Sequence, residues 1–256
     1  MRNRPQRLVF GEVAEDYDRH RPDYPDELFD LLVDGDVEEV LDVGSGTGRA
    51  AVALASRGLG GIAVEPSAEM GAVARANLPE TWTVERSDFE HCRAGGRADW
   101  RLITCAQAWH WVDHDAGLAK ASDVLAPGGT LALFWNRPSF VQDDLRRDLD
   151  EIYDRLAPDM RSSLRGRGAK PKGQLIGIES GRPPSGFASV TRSELWWERT
   201  YTSDEWVALL GTHSDHRLLE PGHRSELHGA VRSAIDAHGG SFVLPYRVEL
   251  LQLVRS

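Results

Sequence analysis

The stretch Val40-Leu41-Asp42-Val43-Gly44-Ser45-Gly46-Thr47-Gly48 concentrates residue types suited to a charged ligand. An apolar run delivers Asp42, and three alternating glycines follow. Glycine is needed where a ligand approaches the backbone and where φ turns positive. The spacing is G-x-G-x-G, not the G-x-G-x-x-G of a dinucleotide site. Pyrophosphate favours a helix N-terminus pointed at it. An acid just ahead of the glycines would repel phosphate and suits an ammonium-bearing or otherwise cationic ligand. Glu65 stands 17 residues beyond Gly48. A carboxylate there can accept from both hydroxyls of a ribose. Asp88 follows a further apolar run, where a carboxylate can accept from an adenine amino group. Any one of these acids alone reads as a loop acid or a helix cap. All three in register with the glycine loop point to one ligand.

A second group of residues could meet a reaction partner. Trp109-His110-Trp111 follows the run Arg101–Cys105. His110 could serve as a base or orient an acceptor; otherwise it caps the next helix between two packing tryptophans. His110 and His114 stand four apart, a possible metal pair on a helix, but nothing else in the sequence supports a metal. In Trp135-Asn136-Arg137, Arg137 could hold a carboxylate in bidentate fashion or lie on the surface. Tyr201, His213, Ser214, Asp215 and His216 are further polar groups that sequence alone does not place.

Alternating strands and helices must position these groups. Residues 11–34 read as a helical N-terminal segment, with Pro25 suiting the first turn of a helix over Asp26–Val33. Glu39–Val43 reads as a buried parallel strand. Thr47–Arg57 reads as an Ala-rich helix stopped by Gly58. Gly61–Glu65 is a second strand, followed by a helix capped by Ser67. Thr81–Glu85 and Arg101–Cys105 are the third and fourth strands. A helix over Ala116–Leu125 ends at Pro127-Gly128-Gly129, and Thr130–Trp135 is a fifth strand. This order implies a doubly wound α/β sheet with ligands at the strands' carboxyl ends. Beyond it, Leu145, Leu149, Ile152, Tyr153 and Leu156 mark one face of a helix. Residues 158–186 read as a long loop rich in Gly, Pro and Arg. Glu194–Tyr201 reads as a strand, Asp204–Leu210 as a short helix, Leu227 to His238 as a helical stripe and Tyr246–Val254 as a closing strand.

Composition narrows the partners. The 256 residues carry 41% hydrophobic and 27% charged side chains, ordinary for a globular domain. Apolar runs fall short of a membrane span, and the first residues lack a signal peptide's apolar core. Cys92 and Cys105 form neither a disulfide framework nor a zinc cluster, which points to the reducing cytosol. A net charge of −10 argues against a broad nucleic-acid footprint. Arg155 to Lys172 is a local exception, with six basic residues and only Asp159 as an acid. It reads as a solvated loop that could also draw an anionic substrate.

The chain resembles the class I S-adenosylmethionine-dependent methyltransferases. Leu41 to Gly48, Glu65, Asp88-Phe89 and the Leu125-Ala126-Pro127-Gly128-Gly129-Thr130 turn carry the likeness, which runs from about Phe10 to Trp135. Within that superfamily it is similar to the methyltransferase type 11 group, including the trans-aconitate methyltransferase-like branch. Tyr17-Asp18-x-x-Arg21-Pro22-x-Tyr24-Pro25 and Ala106-Gln107-Ala108-Trp109-His110-Trp111 carry that narrower match. The resemblance implies a seven-stranded, mostly parallel sheet with an N-terminal lid helix and C-terminal helical insertions. It implies one methyltransferase domain over 1–256, with a cofactor core at 36–136 and substrate-lid insertions within 137–256. It also implies S-adenosyl-L-methionine as cofactor. Asp42 and the backbone of Gly44, Ser45, Gly46 and Gly48 would line the methionine part. Glu65 would hold the ribose, Pro66 and Met70 flank the adenine, and Asp88 with Phe89 cap it. Ala106 and Gln107 would lie under the sulfonium, and Tyr17 and Arg21 would cover the methionine end from a lid ordered over residues 8–24.

The expected reaction is methyl transfer to a small organic acid or phenol, on oxygen. Tyr24, Trp109, Trp111, Trp135 and Arg137 are the expected acceptor residues, with His110 as the candidate catalytic group. No metal, nucleic acid or membrane is expected as a partner, and the expected compartment is the cytoplasm. Four alternatives differ in their signatures, the first a nicotinamide oxidoreductase, which the glycine spacing disfavours. A nucleic-acid amino-methyltransferase carries an Asn/Asp-Pro-Pro-aromatic tetrad where Cys105-Ala106-Gln107-Ala108-Trp109 stands here. A cytosine C5 enzyme needs a Pro-Cys nucleophile, which is absent. A cofactor-binding module without turnover would bind the same ligand.

Overall fold

The computed structural model describes residues 14–33, 37–139, 143–160 and 182–256. Among them the elements run α1 (Ala14–His20), α2 (Asp26–Leu32), β1 (Glu39–Val43), α3 (Arg49–Ala55), β2 (Gly60–Val64), α4 (Ala68–Asn77), β3 (Trp82–Glu85), β4 (Trp100–Ala106), α5 (His114–Val124) and β5 (Leu125–Pro138). Then follow α6 (Asp143–Leu156), β6 (Phe187–Thr202), α7 (Ser203–Gly211), α8 (Ser214–Arg217), α9 (Pro221–Ala237) and β7 (Ser241–Arg255). The strands form one sheet in the order β3-β2-β1-β4-β5-β7-β6. β1 pairs in parallel with β2 and β4, β2 with β3, and β4 with β5. The order turns back at β1, between β2 and β4, which is where such sheets take ligands.

By contacts the chain divides into two compact units. The sheet unit comprises Asp23–Asn136, Pro171–Leu195 and Val248–Ser256; the helical unit comprises Met1–Pro22, Arg137–Lys170 and Trp196–Arg247. In the sheet unit Val40, Leu41, Asp42 and Val43 are all buried, as a strand covered on both faces requires. Leu41, Ile103, Leu131 and Leu133 share a core with Phe89, Trp100, Trp109 and Trp135.

Four elements differ most from the predicted boundaries. α3 starts at Arg49 rather than Thr47, because Gly44, Gly46 and Gly48 hold φ of +63°, +58° and +87° and keep the loop out of helix. β5 begins at Leu125, ahead of the proline and glycines. Trp100 opposes Leu125 while Leu102 opposes Thr130, so Pro127-Gly128-Gly129 is looped out as a bulge instead of ending the strand. β6 and β7 are longer than predicted, starting at Phe187 and Ser241. The predicted loop at 158–186 falls outside the described residues from 161 to 181, as does the lid segment before residue 14.

The helical unit has its own core. Leu145, Leu149 and Tyr153 of α6 meet Trp206 and Leu209 of α7, Leu227, Val231 and Ile235 of α9, and Phe242 and Leu244 of β7. α7 begins with a reciprocal cap: Thr202 Oγ1 accepts from Glu205 N, and Glu205 accepts from Thr202 N. A chain of polar side chains also lies inside. Tyr153 Oη is 3.2 Å from His216 Nε2, and His216 Nδ1 is 3.0 Å from His228 Nε2. Burial, helped by His228 and Arg224, pushes His216 down to about 3. His228 and His213 shift the same way.

These histidines tie stability to pH. Unfolded, they bind protons below about 6.5; folded, they stay neutral. The unfolded state thus holds more protons, and stability rises with pH. The His216 contribution is complete above pH 6.5 and is lost as pH falls toward about 3. His216→Gln should therefore lose about 2 kcal/mol less than the parent between pH 7.5 and pH 5. Urea midpoints at the two pH values measure this; equal losses would contradict a neutral buried His216.

Candidate functional site

Sheet register builds the site at the carboxyl ends of β1, β2 and β4. The chain leaves β1 at Val43, and the amides of Gly44 and Ser45 both donate to Val64 O, at 2.9 and 3.1 Å. That pair of bonds pulls the glycine loop over the end of β2. Gly46 N donates to Glu65 Oε2 at 2.9 Å, and Ser67 N donates to Glu65 Oε1 at 2.8 Å. Glu65 therefore braces the glycine loop and the start of α4 together. Ser67 caps α4 by accepting from Met70 N, as predicted. Asn77 Nδ2 donates to Thr47 O and ties the loop to the far end of that helix.

The glycine at 44 is required twice. Its φ of +63° is left-handed, and a Cβ there would lie 2.5 Å from Ala108 Cβ. The post-β4 loop thus lies directly against the glycine loop. Gln107 sits in that loop at φ +60°, unusual for a residue with a side chain. Its backbone amide donates to Phe134 O and its side-chain amide to Asn136 O, at 2.9 and 3.0 Å. Asn136 is itself buried and donates to Asp23 O at 2.9 Å.

The acids interact. Asp42 is fully buried; its Oδ1 accepts from Thr104 Oγ1 at 2.7 Å, while Oδ2 is buried without a hydrogen-bond partner. Burial raises its carboxyl to about 7; the Thr104 bond opposes this, and the charge of Glu65 adds to it. Burial also raises Glu65, against the bonds from Ser67 and Gly46, and Asp88 pushes it further the same way. The charge of Asp88 thus acts on Glu65, and that of Glu65 on Asp42. Pro66 and Asp88 are half-buried and Met70 is buried beside them in sequence.

The aromatic residues divide. Phe89 and Trp109 are buried core side chains with ring centroids 6.1 Å apart, and Trp135 belongs to the same core. Trp111 is 45% exposed, and His110 lies 4.7 Å from its ring. The Trp109–Trp111 segment is a single 3₁₀ turn, and Asp113 rather than His110 caps α5. Tyr24 is edge-on to Phe134 at 5.0 Å. Ala106 ends β4 opposite Phe134, half-buried. Tyr17, Arg21 and Arg137 belong to the helical unit, and Arg137 continues β5 half-buried. Among the described residues no group of His, Cys, Asp and Glu is placed to hold a metal. Cys92 and Cys105 are buried free thiols. Sequence reasoning missed Thr104, Ala108 and Asn136. Thr104 sits opposite Asp42 in register, a relation only strand pairing reveals, whereas Asn136 stood beside the arginine that sequence reasoning favoured.

The comparisons with known proteins agree with this geometry. A family described as a methyltransferase domain matches residues 40–129. An uncharacterized methyltransferase of Mycobacterium tuberculosis is 32% identical over 253 residues, covering 95% of this chain and 94% of the relative. A solved structure from Anaeromyxobacter dehalogenans, a candidate type II methyltransferase, superposes with a TM-score of 0.61 at 25% identity, covering 91% of this chain and 97% of that one. Phosphoethanolamine N-methyltransferase 2 of Haemonchus contortus, solved with S-adenosyl-L-methionine, shares the fold alone: TM-score 0.53 at 15% identity, over 99% of this chain and 58% of that one. With nearly the whole of both chains aligned to the mycobacterial relative, the protein belongs to the methyltransferase family.

Proposed function

We propose that the protein transfers the methyl group of S-adenosyl-L-methionine to an oxygen of a small organic acid or phenol, in the cytoplasm. The observation that carries the cofactor is the buried Asp42 Oδ2, without a hydrogen-bond partner beside a loop of three left-handed glycines. A buried carboxylate oxygen without a donor is costly, and an ammonium-bearing ligand over the loop supplies one. When bound, the cofactor supplies a methyl group on a positively charged sulfur.

The chain's own residues would then position and shield. The glycine backbone admits the methionine part closely. Each Glu65 oxygen accepts one backbone bond and keeps a lone pair for a ribose hydroxyl. Asp88 accepts from the adenine amino group, while Pro66 and Met70 flank the ring. Phe89, buried against Trp109, seats the turn that carries Asp88. Ala106 and Gln107, on a backbone fixed by Phe134 O, face the methyl end. No covalent residue is needed, because alignment and exclusion of water account for such a displacement. Trp111 and His110 are the favoured acceptor contacts, and Arg137 is the favoured partner for an acidic group. The net charge of −10 favours a small molecule over nucleic acid.

Three outcomes are expected. Glu65→Ala should weaken S-adenosylhomocysteine binding by about 1–3 kcal/mol in calorimetry; parent-like binding would remove Glu65 from the ribose. Asp42→Asn keeps a partner for Thr104 and removes a charge. An acid whose folded pKa is raised costs stability once pH climbs above its unfolded value of 3.8. The variant should therefore be about 4 kcal/mol more stable than the ligand-free parent above pH 7, gain nothing below its unfolded value, and bind the cofactor less tightly. A parent-like denaturation midpoint at pH 8 would contradict the burial argument. His110→Ala should slow methylation of a phenol about 100-fold and methylation of a carboxylate far less, whereas Arg137→Ala should raise KM for an acid. Unchanged turnover of both acceptor types in both variants would refute these contacts.

A further inference from the structure

Asp42 carries a carboxyl group into the middle of the sheet unit. It lies on β1 opposite Ala63 of β2 and Thr104 of β4, with none of its surface exposed. Thr104 Oγ1 donates to its Oδ1 at 2.7 Å, while its Oδ2 is buried and meets no hydrogen-bond partner among the described residues. Ser45 Oγ and Thr47 Oγ1, in the glycine loop that follows, are likewise buried without partners. The end of β1 therefore holds three idle polar atoms, and one belongs to an acid.

The titratable groups around Asp42 favour its neutral form. Past the end of β2, the charge of Glu65 repels that of Asp42, and Asp88 in turn repels Glu65. On β4, burial and then Asp42 raise the Cys105 thiol, which stays an S–H group. Arg49, the first residue of α3 after the glycine loop, pairs with Asp23. Glu65 differs from Asp42 in its bonding. Each Glu65 oxygen accepts a backbone amide, from Gly46 or Ser67, and such bonds favour the charged form. Asp42 Oδ2 has no such donor, and burial leads the influences that hold its carboxyl at about 7.

A buried acid without a cation or a full set of donors takes up a proton rather than stay charged. A cation brought against it reverses that preference. We propose that Asp42 holds a proton in the ligand-free chain and releases it to solvent when the ammonium group of the cofactor docks at the glycine loop, so that pH gates cofactor binding. This rests on the proposed function and deepens it, by regulating the same site. The carboxyl O–H bond breaks, its electron pair stays on the oxygen, and an ammonium N–H then donates to that oxygen. Below about pH 7 the proton competes with the cofactor; above it Asp42 is already ionised and binding releases little. Affinity should therefore rise with pH and level off above about 7. Asp42, Thr104, Cys105, Glu65 and Asp88 all lie in the sheet unit.

Calorimetry on the full chain counts the protons. S-adenosylhomocysteine, which carries the ammonium group, is titrated at pH 6 and pH 8, each in two buffers of different ionisation enthalpy. The difference in apparent enthalpy between buffers gives the protons released. About 0.9 proton should leave at pH 6 and about 0.1 at pH 8, with binding about tenfold weaker at pH 6. 5′-Methylthioadenosine keeps the adenine and ribose but lacks the ammonium group. It should bind without proton release and equally well at both pH values. Asp42→Asn should keep a weaker affinity for S-adenosylhomocysteine that no longer changes with pH. Where that variant binds too weakly to measure, the two ligands on the parent decide. S-adenosylhomocysteine binding without proton release at pH 6 would overturn the gate and leave the proposed function standing. Equal release by 5′-methylthioadenosine would also overturn it and move the proton to Glu65 or Asp88. So would parent-like release in Asp42→Asn. A parent that binds neither ligand at either pH would defeat the proposed function, and the gate with it.

Discussion

Everything at the candidate site depends on the contact between the glycine loop and the loop after β4. A Cβ on Gly44 would lie only 2.5 Å from Ala108 Cβ, so the two loops leave no room for a side chain between them. That contact aligns the end of β1 with Gln107, and Gln107 in turn is tied to β5 through Phe134 O and Asn136 O. Glu65 fixes the opposite side of the loop through Gly46 N and Ser67 N. The candidate site is therefore held in place by the protein's own bonds. Such preorganisation lowers the ordering cost of binding.

The two units carry opposite electrostatic problems. In the sheet unit, burial raises both Asp42 and Glu65, the charge of Glu65 raises Asp42 further, and an Asp42 carboxyl oxygen has no donor among the described residues. In the helical unit, the buried Arg21 Nε has no acceptor among the described residues. Both arrangements cost folding free energy in the ligand-free chain. Sites that sacrifice stability for function commonly show this pattern.

The sequence made the chemistry of the glycine loop legible because each residue there has a local reason. Left-handed backbone needs glycine, and Ser67 caps α4 within its own turn. The acids followed because alternating strands and helices bring strand ends to one edge. Relations between strands were not legible. Thr104 opposite Asp42 depends on register, and the bulge at Pro127 depends on how β4 and β5 align. Trp109 and Trp135 looked like walls of a mouth, yet a tryptophan's type does not reveal whether it faces core or solvent; both are core side chains, and Trp111 is the exposed one. In the helical unit, Tyr201 meets Tyr246 across 45 residues and Tyr153 meets His216 across 63. No local pattern announces such pairs.

The central claim is that a methyl group passes from S-adenosyl-L-methionine to a small molecule. It is tested most directly by incubating the protein with methyl-labelled cofactor and a cell extract separated by size. The expected result is label in the small-molecule fraction, retained on an acidic or phenolic compound and absent with the Glu65→Ala protein. Label that enters protein or RNA in preference to small molecules would contradict it.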